Sequence, residues 1–234
     1  MPGFVMHLVE GKQILRQLEE KMPLTEDWRH RFMTGTLLPD TKLLKEKRFS
    51  HFWNPKDYPL LAKAPDLDLF REKYGGRLED PIVLGYLAHL HLDRYYLRHF
   101  WPRFMVFYGA EGEEEAVSEK ITQVKILRTG ACVPVEDFFS ERHYYREYSL
   151  LNGYFIDKYR VEMPDWHRIK ENPVEEVHLE DMAMISEGLA RLVRQCRKED
   201  ADKVEIFDLA AIEEMLSECA CLFMAEYPVI DKEN

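Results

Sequence analysis

Histidines and carboxylates stand four residues apart at two places in this chain. In GYLAHLHLDRYYLRHFWP, residues 85 to 102, His89 and Asp93 have that spacing inside a run that is otherwise apolar and aromatic. On a helix it puts both side chains on one face, about 40° apart around the axis. His91 then falls about 160° from Asp93, where it packs or meets water elsewhere, and His99 lies about 80° from His89 near the end of the run. In ERHYYREY, His143 and Glu147 repeat the spacing. Two such helices facing each other across a bundle offer imidazole nitrogen and carboxylate oxygen to a common ion. Zinc, iron and manganese all accept these donors. Groups of this kind are costly to bury without partners, so their place in an apolar helix is informative.

Three upstream residues join the candidates. His7 interrupts the apolar face of the first helical stretch, Asp40 follows Leu37-Leu38-Pro39, and His51 sits in FSHFW among aromatic residues. Each has a plainer reading. A lone histidine among apolar residues is more often a hydrogen-bonded core residue than a ligand. A four-spaced His and carboxylate is usually a helix-surface pair, worth a few tenths of a kcal/mol. Spacing alone reads as a helical protein with a candidate metal site.

The elements that must position these residues can be sketched from periodicity and punctuation. VMHLVEGKQILRQLEEK repeats apolar residues at helical spacing and stops before Pro23; a second helix opens at a Thr25 cap and runs to Pro39. Residues 40 to 64 are irregular, and a short helix around DLDLFREKY ends at Gly75-Gly76. Asp80 and Pro81 open the helix that carries His89, and Pro102 closes it. MVFY and QVKIL are expected to pair as a small hairpin around an acidic connection, with a short helix in that connection as the alternative. One long helix is expected from Val135 to Tyr159, bent at Gly153, and two more near 180 to 198 and 208 to 226. The sum is an all-α, multi-helix single domain with room for a small β-hairpin.

Taken in order, His7, Asp40, His51, His89-x-x-x-Asp93, His99 and His143-x-x-x-Glu147 resemble the ligand series of the zinc-dependent phospholipase C family, whose superfamily includes the fungal zinc single-strand nucleases. The MPGFVMH opening and the GTLLPD and SHF stretches also look like those of short bacterial members; the likeness covers residues 1 to about 160. The resemblance implies an all-α fold with two or three zinc ions in a cleft between helices. By it, Asp40, His51, His89 and Asp93 would surround one ion, and His99, His143 and Glu147 a second. His7 would reach a third, with Asp93 as the bridging carboxylate. Relatives attack a phosphomonoester or phosphodiester with metal-activated water, and Asp40 would orient that water or take its proton. Secreted relatives bind the third ion through a tryptophan at the mature N-terminus. Here the chain begins MPG, so the amine of Pro2 would have to stand in after loss of Met1.

Composition narrows the setting. At 234 residues and a formal charge of −11, the chain is expected to be one soluble domain that does not bind a nucleic acid duplex. No secretory leader or membrane span is read in it, so a cytoplasmic setting and a small soluble phosphoester are expected. Cys132, Cys196, Cys219 and Cys221 form no CxxC pair and are expected to be reduced thiols, with Cys219 and Cys221 dismissed as a metal pair. A non-catalytic protein with a structural or sensing ion is the alternative. A helical phosphohydrolase of the HD type is disfavoured, because no adjacent His-Asp dipeptide occurs.

Overall fold

The computed structural model describes residues 2 to 227, leaving aside the side chain of Leu44; Met1 lies outside the described residues. The first helix, α1 (Phe4–Glu19), stops ahead of Pro23. The Thr25 hydroxyl accepts the Trp28 amide at 3.1 Å and caps α2 (Glu26–Gly35). A short helix, α3 (Lys47–Ser50), breaks the irregular stretch that follows. Asp66 caps α4 (Leu67–Tyr74), and Asp80 with Pro81 opens α5 (Pro81–Tyr95).

α5 is buried at every position from Pro81 to Asp93, as a helix apolar all round must be. Around it pack α1, α2 and α4. Past Tyr95 the helix widens into a π-turn, Tyr96–Phe100, in which the Trp101 amide reaches the Tyr96 carbonyl five residues back. The strands β1 (Met105–Tyr108), β2 (Gln123–Ile126) and β3 (Cys132–Pro134) follow as an antiparallel meander, with Met105 opposite Ile126 and Lys125 opposite Cys132. The first two are the hairpin read in MVFY and QVKIL; the third strand was not anticipated.

The long helix expected from Val135 to Tyr159 is instead two, α6 (Val135–Phe138) and α7 (Tyr144–Tyr159). Ser140 explains the break. Its hydroxyl donates to the Asp137 carbonyl and accepts the Arg142 amide, while its carbonyl takes the amides of His143 and Tyr145. Such local bonds offer the backbone an alternative to the helix ladder. Gly153, where a bend was expected, lies inside α7 at a close approach, since a Cβ there would stand 2.5 Å from the Arg197 backbone. α8 (Met182–Gln195) and α9 (Leu209–Glu226) close the chain, and α9 packs on α1 and α5. Among the described residues, no helix is long and apolar enough to cross a membrane.

The tightest joint in the fold is between α2 and α5. A Cβ on Gly35 would come within 2.2 Å of the Ile82 carbonyl oxygen, and one on Gly85 within 2.1 Å of the Phe32 carbonyl oxygen. The two backbones therefore touch, which only glycine permits. Helix propensity alone favours alanine over glycine by about 1 kcal/mol. The contact reverses the sign: Gly85→Ala should destabilise the chain by about 1–3 kcal/mol in urea unfolding. A stabilised variant would show that the joint has slack.

Candidate metal centre

Five candidates from four separate elements converge, two of them on α5 itself. His7 comes from α1, Asp40 from the turn Leu38–Thr41, His51 from the end of α3, and His89 and Asp93 from α5. His51 Nε2 lies 3.6 Å from Asp40 Oδ1, 3.5 Å from Asp93 Oδ2 and 3.4 Å from His89 Nε2. His89 Nε2 is 3.6 Å from Asp93 Oδ2. On the other side of Asp93, His7 Nε2 is 3.4 Å from Oδ1, and the His7 ring stacks on His89 with centroids 3.6 Å apart. His51, His89 and Asp93 are wholly buried, while Asp40 keeps 13% of its side chain exposed.

Second contacts fix how the imidazoles face. His89 Nδ1 lies 2.9 Å from the carbonyl of Thr36, at the end of α2, and donates to it, which turns Nε2 towards His51 and Asp93. A helix C-terminus leaves such carbonyls unpartnered, and here the histidine satisfies one. Ser50 Oγ donates to the Pro39 carbonyl at 3.0 Å and so accepts from His51 Nδ1 at 2.9 Å. His51 Nε2 is thereby turned towards Asp40 and Asp93. Phe52, next in the chain, takes a positive φ of 49°, and its ring packs edge-on to Phe70, Tyr74 and Tyr86. A bulky residue there is uncommon, and the aromatic packing holds the turn that aims His51.

The result is a knot of imidazoles and carboxylates almost wholly closed to water. Neither oxygen of Asp93 and neither ring nitrogen of His7 has a hydrogen-bond partner. Burial and the adjacent His89 push the His7 pKa down to about 4 against the pull of Asp93. Burial likewise lowers His51. Burial would raise Asp93, yet the His7 and His89 imidazoles beside it hold its carboxyl well below the usual range. Burial opposes charge on Asp40 too, and Lys47, 2.8 Å away, outweighs it. A tetrahedral ion with ligands at about 2.0–2.1 Å separates its donor atoms by about 3.3–3.4 Å, close to the spacings seen; an octahedral ion of that size would bring neighbours to about 3.0 Å. The trio His51, His89 and Asp93 offers donors near that spacing, with Asp40 3.6 Å from His51, and a second trio, His7, Asp40 and His89, converges beside it.

His99, His143 and Glu147 are not brought to this centre, and none joins a group of converging donors among the described residues. His99 follows the start of the π-turn, whose extra residue rotates what comes after it, and lies exposed against Tyr95. His143 precedes α7 rather than lying on it, because the Ser140 turn ends the helix, so its four-residue spacing to Glu147 does not align the pair on one helix face. Glu147 is buried, and its two oxygens accept the amides of Glu205, Ile206 and Phe207, each at 3.0 Å. It ties down the bent segment that leads into α9. The tyrosines of α7 pack as well: Trp101 Nε1 donates to the Tyr144 hydroxyl, which lies 2.6 Å from that of Tyr148.

A second buried group escaped the sequence reading. Glu10, His91 and Cys219 place a ligand atom each within 4.8 Å of one another. The signal was present in Glu10, a carboxylate three residues after His7 in an apolar stretch, but its partner Cys219 comes from a distant helix. No protein family, curated protein or solved structure matches this chain.

Two expectations follow. Glu147→Gln should lower stability by about 1–3 kcal/mol, through weakened charge-assisted bonds, and leave bound metal unchanged by elemental analysis. The metal-free chain should show a stability maximum near pH 6.5. Burial lowers His7 and His91 from 6.5 to about 4, so the unfolded chain binds more protons in that range and stability falls as pH drops through it. Burial raises Glu10 from 4.5 to about 8, so its contribution falls as pH rises over that interval. Two histidines outweigh one glutamate below the maximum, and Glu10 acts alone above it. A profile flat across both ranges in chelator-treated protein would count against neutral, buried imidazoles.

Proposed function

We propose that the chain is a metal-dependent phosphoester hydrolase, with zinc as the favoured ion, acting on a small soluble phosphomonoester or phosphodiester. One observation carries this reading. His51 and His89 have both committed Nδ1 elsewhere, and their Nε2 atoms face each other across 3.4 Å beside an Asp93 whose oxygens have no hydrogen bonds. Two imidazole nitrogens and a carboxylate so placed are donors that a divalent cation would draw together. Iron and manganese share these donors with zinc. A bound ion supplies acidified water and positive charge for phosphoryl oxygens.

The remaining chemistry falls to side chains. Asp40 is the carboxylate of the group that reaches solvent, so it is the one placed to direct a water or take its proton. Lys47 grips Asp40 at 2.8 Å and stays charged, since Asp40 and Asp93 outweigh its burial. It presents a cation at the open edge, where an anionic ester would arrive. His7, 3.4 Å from the other oxygen of Asp93, would be the residue to help hold a second ion.

A second reading, an ion that is structural or sensed and turns nothing over, draws support from the complete burial of His51, His89 and Asp93. Metal analysis of protein purified without added metal or chelating resin, followed by a screen of generic phosphomonoesters and phosphodiesters with zinc, iron and manganese, separates the two. The hydrolase reading expects at least one transition-metal ion per chain and turnover that drops a hundredfold or more (on the order of a ligand's loss) in His89→Ala and Asp93→Asn. Unchanged turnover in metal-free protein would end it. Metal-bearing protein inert towards every ester, with a melting temperature lowered by chelation, would leave the second reading standing.

A further inference from the structure

On the side of α5 away from His89, the helices α1, α5 and α9 enclose Glu10, His91 and Cys219, all buried. Cys219 Sγ lies 3.2 Å from His91 Nδ1. Glu10 Oε1 has no hydrogen-bond partner, although it is sealed from solvent among these donors. We propose that Glu10, His91 and Cys219 form a second metal site, separate from the first and selective for a zinc-like, borderline-soft dication.

The chemistry of the set argues for that ion class. A thiolate beside imidazole and carboxylate suits zinc and its neighbours, whereas magnesium and calcium take oxygen donors. Three protein donors leave a fourth position open, the arrangement of an exchangeable rather than a closed structural site. Behind the imidazole, Glu226 Oε2 stands 3.7 Å from His91 Nε2. A carboxylate there holds the proton on Nε2 and leaves the Nδ1 lone pair facing the sulfur. That side is the nearer to solvent, since a surface cavity of about 440 Å³ is lined by His91, Arg94, Tyr95, His99 and Glu226, which also places His99 by this group rather than by the first. Cys221 takes no part: it is exposed, and its nearest partner is Gln17.

The alternative is a metal-free network in which the thiol simply hydrogen-bonds to His91. Cobalt titration of the chelator-treated full chain distinguishes them. A thiolate-to-cobalt charge-transfer absorption in the near ultraviolet should grow in and level off at the intensity of one thiolate ligand per chain. Cys219→Ser should abolish it, and Glu226→Gln should weaken cobalt affinity about 10–100-fold while keeping the band. A variant with Cys132, Cys196 and Cys221 all changed to serine should retain it, which keeps the test decisive if Cys219→Ser fails to fold. Asp93→Asn serves as the control, lowering metal content at the first centre without touching the band, so failure of one site is read apart from failure of the other. No band at saturating cobalt in folded protein, a band that survives Cys219→Ser, or loss of the band in the triple-serine variant would overturn the proposal.

Discussion

Asp93 is a carboxylate wholly out of water with no hydrogen bond to either oxygen, and its solvation governs the centre of this protein. Removing such a charge from water costs several kcal/mol after relaxation, and a low-dielectric interior magnifies whatever is set against it. The neighbours on hand are imidazoles whose burial drives them to the neutral form. Lys47 offers the nearest full positive charge, but it is spent on Asp40. The histidines, the turns that aim them and the helix joint behind them all serve a site that is short of positive charge by design of its donors.

Positioning in this site is done by backbone. Gly35 and Gly85 let α2 and α5 touch, which sets the Thr36 carbonyl against His89. The Pro39 carbonyl performs the same service for His51 through Ser50. Both are rigid acceptors on tight elements, so the two Nε2 atoms are aimed before any ion arrives. Such preorganisation is what the proposed metal centre would require.

α1 and α5 each feed two clusters. His7 and Glu10 leave α1 towards different neighbours, and His89 and His91 leave opposite sides of α5. One helix pair thus carries an oxygen-and-nitrogen centre and, across α5, a group that includes sulfur. Asp93 adds to the forces that keep Glu10 protonated, so the two clusters feel each other's charge.

Local signals were legible where local physics decides. The Thr25, Asp80 and Pro81 start signals, the buried α5 and the β1–β2 hairpin follow from caps, apolar runs and alternation, which neighbouring residues alone impose. The pairing of His89 with Asp93 was legible too, because both lie on one helix. Where the reading rested on helical phase carried past a break, the structure differed: Ser140 ended the helix before His143, and the π-turn rotated His99 away. By itself the sequence determined where α2, α4 and α5 begin and that His89 and Asp93 share a face. Only the tertiary structure decided that Glu147 would cap three amides of a distant segment, and that Cys219 would meet His91 and Glu10. Those partners lie far along the chain, and what brings them together is the packing of whole helices, which no local spacing encodes.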